Sequence, residues 1–360
     1  MSGRTFVIAE AGVNHNGRLE LGLELVDAAA AAGADAVKFQ TFRAADLATS
    51  AAPKAEYQTR TTGIESQREM LARLELSEAD HRALQARATE RGIEFLSSPF
   101  DIASLELLVR LGVRRLKIGS GELTNGPLLL AAGRSGLPVI VSTGMATLDE
   151  IEAALGVFAF AMTTPPADSA APGKRSFGEA YAAPGGRAAL AERVSILHCT
   201  TEYPAPVDEV NLLAIPALAE SFGLPVGYSD HTAGIAVAVA GVALGAVIIE
   251  KHITIDRSLP GPDHLASVEP VAFATLVAEI REVERALGER RKEPGATELR
   301  NAPIARKSLV AATAIRAGSA FTAENLAVKR PGMGRSPMDY WALLGTPATR
   351  DYAADELIDP

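Results

Sequence analysis

Two short polar clusters carry the densest chemistry in this chain: Gly227-Tyr228-Ser229-Asp230-His231-Thr232 and Glu250-Lys251-His252. Each ends a short apolar run, Pro225-Val226 before the first and Ala246-Val247-Ile248-Ile249 before the second. Ala233 to Leu244, rich in Ala, Val and Ile, lies between them; it is long enough for a helix and too long for one strand. Strand, helix, strand with a polar cluster at each strand's carboxyl end is how parallel α/β proteins place their chemistry. Two histidines side by side at such ends, His231 and His252, would hold one divalent metal and leave positions open for substrate and water. Taken singly, each reads as a hydrogen-bonded loop histidine; taken together, amid Ser, Asp, Glu and Lys, they point to a functional site.

Other strand ends repeat the pattern. Glu10, Lys38, Gln40, Ser98, Lys117, Ser120, Glu122, Ser142, Tyr203 and Ser229 all fall where an apolar run stops, and Asp263 follows in Gly261-Pro262-Asp263-His264. Two lysines and several serines aimed into one mouth suit a phosphate or a carboxylate, with Lys supplying charge and hydroxyls supplying directed donors. A single Ser at such a place is more often a turn or cap residue. Lys38 and Lys117 interrupt apolar strands at alternate positions, where a buried ammonium without an anion is costly. A structural ion pair, Lys38 with Glu10, is the plainer reading of the first.

The elements that must position these residues alternate along the chain. Strands are expected at Phe6–Ala9, Ala36–Gln40, Ile93–Leu96, Arg115–Ile118, Pro138–Val141, Val194–Leu197 and the two runs above. Helices are expected at Leu19–Ala32, Ser77–Arg91, Ile102–Leu111, Pro127–Ser135, Thr147–Phe160, Leu212–Phe222, Ala233–Leu244 and Pro270–Leu287. Ser77 with Asp80, and Thr147 with Glu150, read as helix starts. Residues 41–63 read as a long loop, and 163–186, rich in Pro, Gly, Ala and Ser, as an insertion. Eight strand–helix units argue for a (β/α)8 TIM barrel over residues 1–287. An open doubly wound sheet would show a Gly-rich phosphate turn after its first strand, and Ala11-Gly12-Val13-Asn14-His15-Asn16-Gly17 is not one. Residues 288–305 read as a linker. Residues 306–360 read as a small module with a strand at 307–311, a capped helical turn at 322–326 and a short strand closing at 328–332, its core too thin to stand without a supporting surface.

Composition narrows the function classes. The 360 residues carry a formal charge of −9 with no long basic run, which argues against nucleic acid. One cysteine, Cys199, excludes an internal disulfide and fits a reducing cytoplasm. No stretch of membrane-spanning length lacks a charge or a break, and the first apolar run is too short for a signal peptide.

Several motifs together carry a resemblance: Ile8-Ala9-Glu10-Ala11-Gly12-Val13-Asn14-His15-Asn16-Gly17, Val37-Lys38-Phe39-Gln40-Thr41, Lys117-Ile118-Gly119-Ser120-Gly121-Glu122, Ser142-Thr143-Gly144-Met145, His198-Cys199-Thr200-Thr201-Glu202-Tyr203-Pro204 and Gly261-Pro262-Asp263-His264. In these motifs, and over nearly its whole length, the chain resembles the bacterial sialic acid synthases. Those enzymes condense phosphoenolpyruvate with N-acetylmannosamine to give N-acetylneuraminate and phosphate. The tail, with Lys329-Arg330-Pro331-Gly332, is similar to their C-terminal antifreeze-like (SAF, β-clip) domain.

The resemblance implies a divalent metal, Mn2+ or Mg2+, on His231 and His252. It implies phosphate binding by Lys117, Ser120, Ser142 and Ser229 with Ser98 nearby. Lys38 and Gln40 would lie near the phosphoenolpyruvate carboxylate and the reacting carbons, and Glu10 would handle a proton. Glu122, Thr201, Tyr203 and Asp263 would face an N-acetylated amino sugar, and Arg330 would reach it from the partner subunit of a domain-swapped homodimer. Thr201 stands where some members have Asn, and Ile304 where some have an aromatic. The Pro53–Gln58 loop is of a subtype shared with synthases of legionaminic acid. N-acetylneuraminate synthesis is therefore the leading expectation, with diacetyllegionaminate or pseudaminate synthesis from a 2,4-diacetamido-2,4,6-trideoxyhexose as the alternative. A metal-dependent pyruvate aldolase would need no phosphate-holding lysine and serines. A binding module on a decayed barrel would not keep Glu10, Lys38, Lys117, His231 and His252 together.

Overall fold

The computed structural model describes residues 3–55, 58–59, 62, 65–165 and 171–360. Glu56 and Tyr57 of the Pro53–Gln58 loop, and residues 166–170 of the 163–186 segment, lie outside the described residues. The chain divides into two compact units, Met1–Gly288 and Glu289–Pro360.

The first unit contains β1 (Phe6–Gly12), β2 (Ala36–Thr41), β3 (Glu94–Pro99), β4 (Leu116–Ile118), β5 (Val139–Ser142), β6 (Val194–Cys199), β7 (Val226–Asp230) and β8 (Ile248–His252). They pair in parallel in the order β3-β2-β1-β8-β7-β6-β5-β4. The terminal strands β3 and β4 pack against each other. Arg115, just before β4, spans that seam with bonds of 2.8 and 3.1 Å to the Glu94 carboxylate. The result is a (β/α)8 barrel, with all eight expected strands present.

Successive strand residues point to opposite faces, and here the two faces differ in chemistry. Ile8, Ala36, Leu96, Ile140, Leu197 and Ile248 fill the barrel interior. Two residues further along each of those strands stand Glu10, Lys38, Ser98, Ser142, Cys199 and Glu250, all lining one cavity. The interior is thus an apolar plug capped by a polar layer at the strands' carboxyl ends. At β7 the plug leaves no room for a side chain: a Cβ on Gly227 would lie 2.5 Å from Leu197 Cδ2 and 2.6 Å from the Ile248 carbonyl. The outward residues, among them Val7, Ala9, Val37, Phe39, Val141, Ile196 and Ile249, join the helices in the main core.

Helix ends follow local chemistry. Ser77 with Asp80 and Thr147 with Glu150 form capping boxes that start the helices Glu78–Arg91 and Leu148–Thr163. Two longer segments differ from expectation. The insertion is largely helical, with Lys174–Ala182 and Pro184–Arg193. Phe177 and Tyr181 of its first helix pack against the main core, and the Phe177 ring meets Phe160 at 5.4 Å, so tertiary burial holds a helix in a segment whose Pro and Gly residues read as breaks. Where 288–305 reads as linker, Ala296–Ala305 forms a helix, started by Glu298 accepting from Gly295 N–H. Thr322–Leu326 is the expected capped helical turn: Leu326 N–H donates to the Thr322 carbonyl at 3.1 Å and Asn325 Oδ1 accepts from Thr322 N–H at 2.8 Å, and a strand follows.

In the second unit β9 (Ser308–Ala311) and β10 (Leu326–Lys329) pair antiparallel. Leu309, Ile315, Phe321, Leu326, Leu343, Tyr352 and Ile358 give it a core of its own. Among the described residues no helix is long and apolar enough to cross a membrane.

Candidate active site

Glu10, Lys38, Gln40, Ser98, Lys117, Ser120, Ser142, Thr201, Tyr203, Ser229, His231 and His252 line a single cavity of about 140 Å3 at the carboxyl ends of the strands. Volume does not single it out, since a groove of about 600 Å3 lined by Leu129, Val157 and Phe177 runs between outer helices. Converging charge does.

Lys38 Nζ lies 2.6 Å from Glu10 Oε2 and 3.8 Å from Glu250 Oε1, and donates to Ser98 Oγ at 3.3 Å. Lys117 Nζ lies 3.4 Å from the same Glu250 oxygen and donates to Ser142 Oγ at 2.7 Å. Two buried cations therefore face two buried carboxylates. Burial alone would depress Lys38, but Glu10 and Glu250 outweigh it and the shift is upward. Lys117 moves downward, because burial there exceeds the pull of Glu250. Burial, reinforced by Glu250, raises Glu10 to about 7 against the attraction of Lys38. Glu250 goes the other way: burial is more than offset by Lys117, Lys38 and the Ser229 hydroxyl, which donates to it at 3.0 Å.

Gly12 turns the chain away behind Glu10. Its φ of +53° and a virtual Cβ only 3.1 Å from Glu10 Oε1 both favour glycine. Across the cavity Ser120 Oγ accepts from Gly144 N–H at 3.0 Å and meets Cys199 Sγ at 3.1 Å.

The histidine rings lie 5.5 Å apart, and Tyr203 covers both at 4.2 and 5.6 Å. His231 Nδ1–H donates to the Thr200 carbonyl at 2.6 Å, leaving the Nε2 lone pair as its acceptor. His252 Nδ1 has no hydrogen-bond partner among the described residues. Burial lowers His231 to about 4 and His252 well below its usual range, so both rings are neutral. Neutral, buried imidazoles with one oriented tautomer and one unpartnered nitrogen are a donor pair that fits a divalent ion. No third His, Cys, Asp or Glu joins them as a ready-made cluster among the described residues.

Three expected residues do not line the cavity. Asp263 is buried behind it, Oδ2 at 3.9 Å from His252 Nδ1, and burial raises it to about 6 despite Lys38. Glu122 sits in the turn after β4 and accepts from Asn125 Nδ2 at 2.6 Å; burial raises its carboxyl. Arg330 belongs to the second unit, where it is exposed and its Nε donates to the Ala305 carbonyl at 3.0 Å. Glu250, Phe100 and Cys199 line the cavity without having been singled out for it. For Glu250 the signal was present: strand periodicity puts it on the same face as His252.

The NeuB family matches residues 25–292, and the SAF domain matches residues 306–360. The N,N'-diacetyllegionaminic acid synthase of Campylobacter jejuni is 45% identical over 99% of both chains. That of Legionella pneumophila is 44% identical over 97% of this chain and 92% of its own. The crystal structure of an N-acetylneuraminic acid synthetase from Leptospira borgpetersenii, in complex with citrate, superposes with a TM-score of 0.67 at 34% identity, covering 83% of this chain and 90% of the other. The barrel, its polar cap and these full-length similarities agree, and the chain belongs to the NeuB family, ending in a SAF domain.

Proposed function

We propose that this protein condenses phosphoenolpyruvate with 2,4-diacetamido-2,4,6-trideoxymannose, giving N,N'-diacetyllegionaminate and phosphate. The choice of sugar rests on one observation, the 45% and 44% identity to two N,N'-diacetyllegionaminic acid synthases over almost the entire chain. It replaces N-acetylmannosamine, the leading expectation from sequence motifs alone. Those motifs carry the shared reaction and do not separate the two acceptors.

The reaction joins C3 of phosphoenolpyruvate to the acceptor's aldehyde carbon. Water adds at C2, the C2–O bond to phosphate breaks, and the aldehyde oxygen takes up a proton. Lys117, with Ser142 Oγ at 2.7 Å, and Ser120, held by Gly144 N–H, would hold the phosphate. Lys38, beside Ser98, would neutralise the carboxylate. Glu10, raised to about 7, holds or releases a proton near neutral pH and is the group placed to exchange it with the reacting oxygens. His231 and His252 would hold Mn2+ or Mg2+, which when bound polarises the aldehyde carbonyl as a Lewis acid. Tyr203, tilted against the His231 ring at 4.2 Å, would wall off that side and exclude water. Arg330 would complete the sugar site of a partner in a swapped homodimer, and the setting would be the cytoplasm.

The test is phosphate release from phosphoenolpyruvate with Mn2+, offering the diacetamido sugar and N-acetylmannosamine separately. Turnover at least tenfold more efficient with the diacetamido sugar is expected. Preference for N-acetylmannosamine would return the assignment to N-acetylneuraminate synthesis, and release with neither would remove the substrate class.

A further inference from the structure

Behind the cavity, on the helix-facing side of β7 and β8, lies an ion pair with both side chains fully buried. Lys251 Nζ is 2.7 Å from Asp230 Oδ2. The surrounding outward positions, among them Val226, Ile196, Ile249 and Val7, are apolar core. An apolar pair of similar volume is often at least as stable as a buried ion pair, because desolvation offsets the Coulombic gain. What a charged pair supplies and an apolar pair does not is direction.

The direction bears on the histidines. Asp230 and Lys251 are register partners, and theirs is the last pair of the β7–β8 ladder. His231 and His252 follow immediately, beyond that ladder. Past this point the two backbones separate: the His231 carbonyl accepts from Ala205 N–H, and the His252 carbonyl from Val268 N–H. Lys251 also donates to the Thr232 carbonyl at 2.6 Å, so one ammonium grips the residues on both sides of His231. Asp230 Oδ1 accepts from Thr232 N–H at 2.9 Å, Thr232 Oγ1 at 2.8 Å and Tyr228 Oη at 3.0 Å, which locks the same turn from the other side.

We infer that Asp230, Lys251 and Thr232 are positioning residues that fix the mutual placement of the His231 and His252 rings, and through it the affinity for a divalent ion. The inference rests on the metal reading of the two histidines. None of the three lines the cavity, so each acts on it through its neighbours.

The experiment measures Mn2+ binding to the full chain, without substrates, from the electron paramagnetic resonance signal of free Mn2+. Unfolding of the metal-free protein is followed in parallel. The variant Asp230→Asn with Lys251→Met removes the charges and keeps an acceptor for the Thr232 bonds. Expected is a cooperatively folded protein that binds Mn2+ at least tenfold more weakly and regains turnover at high Mn2+. Affinity within twofold of the parent overturns the inference, as does turnover that stays low once Mn2+ saturates. Should that variant not fold, Thr232→Val, which removes one hydroxyl bond to Asp230, is expected to weaken Mn2+ about threefold. No weakening there overturns the inference equally. A parent chain that binds no Mn2+ overturns the metal reading and this inference together, whereas unchanged binding in the variants overturns this inference alone.

Discussion

Glu10 offers the sharpest test of the site's electrostatics. Its carboxyl is displaced from 4.5 to about 7, with burial as the largest cause. At about 1.4 kcal/mol per pH unit, that displacement disfavours the ionised form in the folded chain by about 3 kcal/mol. Because the folded value lies above the unfolded one, the associated stability is complete below about pH 4.5 and is lost as pH rises through about 7. In Glu10→Gln this component disappears. The metal-free variant is expected to show a flatter dependence of its unfolding free energy between pH 5 and 8, by up to about 3 kcal/mol. Activity should fall by about 10^2- to 10^4-fold, the range for loss of a positioned proton-transfer group. The limb in kcat that reports this proton in the substrate complex should vanish with it. Reading kcat matters, because the phosphate of the free substrate has its own ionisation near pH 6, which affects kcat/KM and not the rate of the bound complex. A kcat limb unchanged in Glu10→Gln, or an unchanged stability slope, would refute the assignment of that proton to Glu10.

Two further outcomes follow, one from geometry and one from the proposed dimer. A methyl at Gly144 would lie 2.4 Å from Thr201 Oγ1, 2.9 Å from Ser120 Oγ and 3.0 Å from Cys199 Sγ. Gly144→Ala is therefore expected to cost about 1–3 kcal/mol in overpacking and to raise KM for phosphoenolpyruvate about tenfold, since Ser120 must leave its place; steady-state kinetics with KM unchanged would sink this account of the phosphate cradle. If Arg330 completes a partner's site, mixing inactive Glu10→Gln and Arg330→Ala chains through unfolding and refolding should restore about a quarter of the parent activity, because half the dimers are mixed and each holds one intact site; no recovery would mean each chain uses its own Arg330 or none.

The strands were legible because each is an apolar run bounded by turn or polar residues, and the capped helices because Ser77 and Thr147 act within one turn of their own positions. The helices at 174–182 and 184–193 were not, because what stabilises them is remote: Gly156, whose virtual Cβ would lie 3.0 Å from the Phe177 carbonyl, lets one helix approach another closely. No local pattern encodes that contact. The helix at 296–305 was hidden for a local reason, by Pro294-Gly295, which reads as a break and serves as a start.

Glu250-Lys251-His252 shows how far periodicity carries and where it stops. Read as a polar cluster, the triplet offers a lysine to an anion site that already wants cations. The period of two along β8 allows only one alternative: Glu250 and His252 face the cavity and Lys251 faces the helices. The cavity then gains an anion. Lys38 and Lys117 are matched by Glu10 and Glu250, so these side chains leave no excess of positive charge with which to draw a trianionic substrate. Binding must therefore bring charge with it, through an ion on the histidines, through a proton on Glu10, or through both. A carboxyl already displaced to about 7 is the member of this set that accepts the proton at least cost. That ties the metal reading to the Glu10 prediction: proton uptake on phosphoenolpyruvate binding, measured by calorimetry in two buffers of different ionisation enthalpy, should be larger without the divalent ion than with it.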